Sequence, residues 1–347
     1  MALHSSITDA PLDRYEVIVL ASGGFSRGFG NLYRCRELAA CFWSAGQHCL
    51  LICDCPDVVQ VFPNGSTVPI AAGNLDSLLG SARVNGNEGQ QVRLLCIDDR
   101  ACDVLTVRRL RKAFPLAAIV HLNDAGLADA SEYDLVVDNS HVGQRANGTN
   151  VLPGLEYAII RSDCIQYRPR HLRDIRSGFR ELMLCLGSED PGLLTEQVVV
   201  SLLECDLDTC LSIRVVCGVG FERDRVQRLA AYTKSRNVRI DSQPTHFAEL
   251  LAEADMVVSL GGQTALEACC VGTTSLTVDW SWMTAQAQGL VESGISLALG
   301  VAGSAGRNLQ RLLASPSVLG EVRVNGWRTI DGHGAGRLAA ILWDRFG

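Results

Sequence analysis

Short apolar runs alternate with segments of helical period along the whole chain, the pattern of parallel sheets built from strand–helix–strand units. In the first half the apolar runs predict strands over 16–21, 48–53, 93–97, 117–122 and 135–138; in the second half they predict strands over 182–186, 213–217, 238–240, 256–260 and 274–278. The intervening period predicts helices over 36–45, 193–203, 221–234, 247–254, 264–270 and 285–293, with a last one over 334–346. The segment 167–180 is charged and lacks a clean apolar period, so it reads as a linker; 82–91, rich in glycine and asparagine, reads as a surface loop. The fold class expected is α/β, with an N-terminal Rossmann-like domain over 1–166 and a C-terminal one over 181–347. The last helix is expected to pack back on the first domain. Two open sheets facing each other place their strand carboxyl ends on a shared cleft, where ligands bind.

Two glycine-rich turns between strand and helix stand out against this background. The first is Gly28-Phe29-Gly30-Asn31-Leu32-Tyr33-Arg34-Cys35, after the first strand; the second is Gly261-Gly262-Gln263-Thr264, about two-thirds along. Such a turn brings bare backbone and a helix N-terminus to one point, which favours an anionic ligand. Gly28 and Gly30 alone fit a tight turn equally well. Asn31 and Arg34, one helical turn apart, add an amide and a guanidinium on the face that meets those glycines. In the second turn Glu267 sits one turn inside the helix. It can accept hydrogen bonds from vicinal hydroxyls such as those of a ribose, or it can simply offset the helix dipole at the surface.

Polar residues also collect at other predicted strand ends, where α/β enzymes keep their chemistry. His121-Leu122-Asn123-Asp124 and Asp98-Asp99-Arg100 are two such clusters. His121, Asp124 and Asp99 are candidate catalytic groups, with solvation of the imidazole and turn capping by the carboxylates as the competing explanations. Gly187 and Ser188 can bond a diphosphate, while Asp190 and Pro191 have the chemistry of a helix start.

Composition narrows the class. With 347 residues, 47% hydrophobic and 20% charged, the chain is globular, and a net charge of −7 argues against nonspecific nucleic-acid binding. Arg108–Lys112 and Arg168–Arg176 read as solvated helix and linker surface. Fourteen cysteines occur without paired C-x-x-C spacing, so they read as buried apolar residues rather than metal ligands. No metal or cofactor is expected. The segment 1–13 has no apolar signal region and no run reaches membrane-spanning length, so a cytoplasmic protein with reduced thiols and no stable membrane insertion is expected. The sequence sets no oligomeric state.

Taken together, these residues resemble the nucleotide-sugar hydrolases of pseudaminic acid biosynthesis and their spore-coat polysaccharide relatives. More distantly the chain is similar to the GlcNAc transferase that makes lipid II. The family's G-x-G-H-x-x-R-C-x-x-L-A is matched over Gly28–Ala39 except at the histidine, and its G-G-x-T-x-x-E-x-x-x-x-G is matched by Gly261, Gly262, Thr264, Glu267 and Gly272. Asn123-Asp124 stand where the family has Asp-Asp, Gly187–Pro191 is similar to its Gly-Gly-Ser-Asp-Pro loop, and Asp331–Arg337 to its closing D-G-x-G-x-x-R. The resemblance covers most of the chain and implies the two-domain GT-B architecture. It implies that Gly262, Gln263 and Thr264 hold UDP, that Glu267 binds the ribose, and that Phe247 marks the uracil position.

One departure carries chemical weight. Asn31 occupies the place of the family's general base, and an amide cannot take a proton from water near neutral pH. The family's Asn-Gln ahead of the last cleft helix is also replaced, with Trp282 and Met283 nearby. The primary expectation is therefore a metal-independent glycosyltransferase with a UDP-sugar donor and a small acceptor, such as a nucleobase in the manner of cytosylglucuronate synthase. A UDP-sugar hydrolase using His121 or Asp124, and a noncatalytic nucleotide-sugar binding protein, are the alternatives.

Overall fold

The computed structural model describes residues 3–4, 11–24, 28–54, 68–84, 91–123, 130–138, 150–174, 178–190, 192–207, 210–234 and 237–347. They form two compact units, Met1–Ile159 with His333–Gly347, and Ile160–Gly332.

The strands of the first unit are β1 (Leu3–His4), β2 (Val17–Ala21), β3 (Cys49–Cys53), β4 (Ile70–Ala72), β5 (Leu94–Asp98), β6 (Ala118–Asn123), β7 (Leu135–Asp138) and β8 (Val151–Pro153). They pair in parallel in the order β1-β4-β3-β2-β5-β6-β7-β8. β2, β3 and β5 are buried at every residue, as strands covered on both faces must be. Side chains alternate between two cores: Val17 and Val19 join one, Ile18 and Leu20 the other. The first core is closed by α1 (Gly30–Ser44), whose Leu32, Cys35, Leu38, Ala39 and Phe42 recur at helical spacing on one face. The second is closed by α2 (Leu75–Val84) and α3 (Val104–Ala113).

α2 runs into the start of the segment expected as a surface loop; residues 85–90 of that segment lie outside the described residues. α3 accounts for the basic run Arg108–Lys112. Asp103 accepts from the Thr106 N–H at 2.8 Å, and Val107 and Leu110 face inward. The arginines face out, with Arg108 paired to Glu132 at 2.7 Å and Arg111 to Asp134 at 3.0 Å.

The second unit has strands β9 (Glu181–Leu184), β10 (Ser212–Cys217), β11 (Val238–Ser242), β12 (Met256–Ser259), β13 (Thr274–Asp279) and β14 (Leu297–Val301), all parallel in the order β11-β10-β9-β12-β13-β14. Counted from β9 this is 3-2-1-4-5-6, the doubly wound order whose direction reverses between β9 and β12. Its helices are α4 (Ser162–Gln166), α5 (Leu194–Leu203), α6 (Arg223–Ala230), α7 (Phe247–Glu253), α8 (Gln263–Val271), α9 (Met283–Glu292), α10 (Ala305–Leu313) and α11 (Pro316–Thr329).

Where described, the segment expected as a linker belongs to the second unit. The Arg168 guanidinium donates to the carbonyls of Cys270 and Ile330 at 2.8 Å and Trp327 at 2.7 Å; Arg173 donates to those of Glu253 at 2.8 Å and Ala254 at 2.7 Å. Arg168 and Arg173 are thus carbonyl partners for helix ends, whereas Arg170 is exposed as expected, and the units divide at 159/160 rather than after 166. The last helix, α12 (Gly334–Phe346), adds Ala335, Leu338, Ala339 and Leu342 to the first unit's core beside α1.

Most of the cysteines are buried. Burial raises the Cys102 and Cys270 thiols to about 11 and those of Cys217 and Cys269 to about 12. Cys210, by contrast, is exposed. At pH 8, iodoacetamide is expected to alkylate Cys210 at least ~100-fold faster than Cys217 or Cys269, because each pKa unit removes about tenfold of thiolate and burial removes access. Peptide mass spectrometry of the alkylated protein measures this; equal rates would mean that the second unit's core is open to solvent.

Candidate functional site

In each unit the glycine-rich turn falls where the strand order reverses. In the first unit the reversal lies between β2 and β5. The chain leaving β2 is tied to both neighbours: Ser22 N–H donates to the Asp98 carbonyl at 2.9 Å, and Gly23 N–H to Asp54 Oδ1 at 2.8 Å. Gly24 and Gly28 exchange backbone hydrogen bonds of 3.0 and 2.8 Å across the base of the turn. Gly28 has φ +82°, and α1 begins at Gly30, well before the expected start at 36. Glycine costs propensity inside a helix but not at its first residue, so the helix extends back to the turn. Asn31, half-buried, therefore stands in its first turn.

Arg34 does not share that exposed face. It is buried, and its Nε and Nη2 donate to the two carboxylate oxygens of Asp98 at 2.5 and 2.6 Å. This bidentate pair fixes α1 over the end of β5. Asp99 is also buried and accepts from the Ala101 N–H at 2.9 Å, closing the turn after β5. His121, expected to be reactive or solvated, is only 4% exposed. Its Nε2 is 3.3 Å from the Asp99 carbonyl oxygen, and its ring centroid is 4.9 Å from that of Tyr133. A carbonyl only accepts, so this contact places the proton on Nε2. Asn123 ends β6; Asp124 lies outside the described residues.

In the second unit two loops flank the reversal, 185–190 after β9 and 260–262 after β12. Gly261 has φ +81°, and a Cβ there would lie 2.6 Å from Ala287 Cα, so only glycine lets α9 approach so closely. Gly262 begins α8 without a side-chain cap, and the first turn of α8 holds no acidic residue. The positive end of the helix dipole at this turn is therefore not offset by a capping or acidic side chain of α8, the arrangement that favours an anion.

On the neighbouring loop Gly187 is exposed with φ +101°, and no atom lies within 4 Å of where its Cβ would stand. Ser188 Oγ is buried with no hydrogen-bond partner among the described residues. Asp190 does start the helix, accepting from the N–H groups of Leu194 and Thr195 at 3.0 and 2.8 Å, while Arg225 neutralises it. Burial raises the Cys185 thiol, partly offset by the Gly187 N–H and the Thr264 hydroxyl.

Glu267 is almost wholly buried, and Arg161 grips it, Nε to Oε1 at 2.8 Å and Nη2 to Oε2 at 3.2 Å. Gln263 Nε2 adds a bond to Oε1 at 3.1 Å. Burial works to raise the Glu267 carboxyl, and the Arg161 charge opposes it. For Arg161, burial works downward but is outweighed by Glu267, which holds the guanidinium charged well above its usual range. The same guanidinium lies 5.0 Å from the ring centroid of Phe247, the first residue of α7. Carboxylate, cation and aromatic ring thus form one cluster beside the uncapped helix.

Two residues here escape a sequence reading. Arg161 is 106 positions from its carboxylate, so no local pattern links them. Gln286 lies on α9 next to Ala287, buried, with its Oε1 unpartnered among the described residues. The available signal was the polar pair Gln286 and Gln288 just after Trp282 and Met283. Among the described residues no group of three or more His, Cys, Asp or Glu side chains is placed to hold a metal ion, and no helix is long and apolar enough to cross a membrane.

No model of a known protein family matches the chain. An uncharacterized protein of Methanocaldococcus jannaschii is 24% identical over 272 residues, which are 74% of this chain; the chain spans about half (54%) the length of that curated relative. Among solved structures, Acinetobacter baumannii MurG superposes with a TM-score of 0.66 at 13% identity, covering 95% of this chain and 99% of its own. Anabaena HepE in complex with UDP-glucose gives 0.61 at 14% identity, covering 95% and 100%. The calicheamicin glycosyltransferase CalG4 gives 0.63 at 13%, covering 95% and 98%. Two parallel α/β units, each doubly wound, give this chain the GT-B fold.

Proposed function

We propose that the chain is a glycosyltransferase that takes a UDP-sugar on its second unit and passes the sugar to a small acceptor taken by the first. The observation that carries this reading is the acid-free start of α8, which has no side-chain cap, together with a Ser188 Oγ that has no partner among the described residues. Together they offer N–H and O–H donors to a diphosphate at the reversal of the sheet. The same fold in Anabaena HepE has been solved with UDP-glucose. Phe247 provides a ring for the base, and Glu267 an acceptor for the ribose. Departure of UDP is assisted by the glycine-turn N–H groups and the helix dipole, so the reaction needs no metal.

Transfer is favoured over hydrolysis by Asn31, which stands at the first unit's turn and has no useful proton affinity. His121, the other candidate for activating water, is buried against Asp99 and Tyr133. Asn31 orients the acceptor, and Asp124 is the candidate for its base where one is needed, since Asp99, like His121, is buried.

The test is UDP release from a panel of UDP-sugars, with EDTA present, with and without small acceptors including nucleobases. Acceptor-dependent release is expected. Equal release without acceptor means a hydrolase, and binding without release means a carrier. Asn31→His is expected to raise acceptor-independent release by about 100-fold, the usual contribution of a positioned general base; an unchanged rate would show that Asn31 does not stand beside the reacting centre.

A further inference from the structure

The loop after β9 carries a charge that an anion site does not call for. Glu189 directly follows Ser188 and is half-buried. The stem of its side chain lies on the glycine turn after β10. A Cβ on Gly220 would stand 2.5 Å from Glu189 Cγ, and one on Gly218 would stand 2.4 Å from Ser188 Cα. The Gly220 N–H also donates to the Ser188 carbonyl at 2.9 Å, so the two loops are held together. The charged groups around Glu189 are Asp190 on its own loop, Glu196 on α5 and Arg225 on α6. Arg225 is committed to the other two carboxylates, Nη2 reaching Asp190 at 2.5 Å and Glu196 at 2.6 Å. To Glu189 it gives only a bond to the main-chain carbonyl, at 3.1 Å. Glu222, Arg223 and Asp224, at the start of α6, are exposed. Among the described residues the Glu189 carboxylate has no hydrogen bond and no ion pair. Burial raises its carboxyl, and no neighbouring cation opposes that rise.

We infer that Glu189 limits the hold of this site on a diphosphate, and limits it more for UDP than for a UDP-sugar, so that it selects the donor over the spent nucleotide. The inference rests on the reading of the second unit as a nucleoside-diphosphate site. The terminal phosphate of UDP gains a second negative charge above about pH 6, and the same phosphate esterified to a sugar does not. A fixed carboxylate with no cation of its own repels the more highly charged ligand more strongly. Without it, the Ser188 hydroxyl and the α8 dipole would hold UDP at least as well as the donor and slow its departure.

Calorimetry of the full chain at pH 8 tests it, with two probes: UDP, and the methyl ester of its terminal phosphate, which carries the charge of a UDP-sugar without the sugar. Glu189→Gln keeps the shape of the side chain and removes its charge. In about 20 mM salt it is expected to tighten UDP by about 5- to 10-fold and the ester by about threefold, the scale of a like-charge contact at a half-buried position. Glu189→Lys is expected to tighten both by at least as much. In about 1 M salt, where the screening length is about 3 Å, the gains should fall below about twofold. Unchanged or weaker binding by Glu189→Gln would overturn the inference. So would a gain that survives high salt, or one that is larger for the ester than for UDP. A purely structural Glu189 would lower the melting temperature of both variants and leave the ratio of the two affinities as in the unaltered protein. Absence of UDP binding by the unaltered protein would instead bring down the nucleotide reading, and the inference with it.

Discussion

Asp98→Ala should destabilise the first unit by about 3–5 kcal/mol, the usual result of removing one partner from a buried ion pair. Asp98 and Arg34 have side-chain exposures of 2% and 7%, so water cannot replace the lost carboxylate. The guanidinium would stay on the inner face of α1, beneath the turn that presents Asn31, with its two shortest bonds gone. Urea denaturation should show the first unit's transition moving to lower concentration while that of the second stays in place. The double replacement Arg34→Met with Asp98→Leu should recover most of the loss, because apolar substitutes for a buried pair are often neutral or better. A loss below about 1 kcal/mol for Asp98→Ala would mean that the pair is solvated and that Arg34 is available to a ligand after all.

Gly261→Ala should be nearly as costly to the second unit, and more costly to binding. The left-handed backbone at φ +81° costs a non-glycine residue about 1–2 kcal/mol. The added carbon would also meet Ala287 Cα at 2.6 Å and Cβ at 2.7 Å, which a helix backbone cannot relieve by a rotamer change. Overpacking of that kind adds about 1–3 kcal/mol. Gly187→Ala is the internal control. Its φ is +101° but its surroundings are open, so only the backbone cost of about 1–2 kcal/mol is expected. Thermal unfolding of the two variants should therefore rank Gly261 as the more sensitive site. Displacing α9 from α8 should also weaken UDP binding by about tenfold or more, since a misplaced N-terminal turn loses its aim at the phosphate. Equal destabilisation by the two substitutions would show that α9 does not press on the turn.

The central strands were legible because they are buried on both faces. β2, β3, β5 and β12 read as nearly continuous apolar runs, and each lies within about one residue of its expected bounds. The edges were not. β14 (LALGV) is only partly buried and contains a glycine, and β8 (VLP) has three residues and a proline, so neither gives a strand-length signal. α10 and α11 follow β14 directly and were missed with it. At the sites, the glycine turns were legible because their backbone demands fall on consecutive residues. The partners of the polar residues were not. Arg34 reads as a ligand-facing cation until Asp98, 64 positions on, is folded against it, and Glu267 reads as an open carboxylate until Arg161 is. Ion pairs between distant segments leave no periodicity in the sequence; only the topology brings them together.

α12 has a consequence for how the polypeptide matures on the ribosome. Residues 160–332 are contiguous and can acquire their native arrangement as soon as they emerge, whereas the sheet made first has to wait for the final helix to cover α1. The nascent chain thus carries an apolar groove, bordered by Leu38 and Phe42, through the synthesis of the entire second unit. Chaperone engagement should concentrate in that interval, and stalling translation just short of Gly334 should yield a species with one finished lobe and one that is open to aggregation.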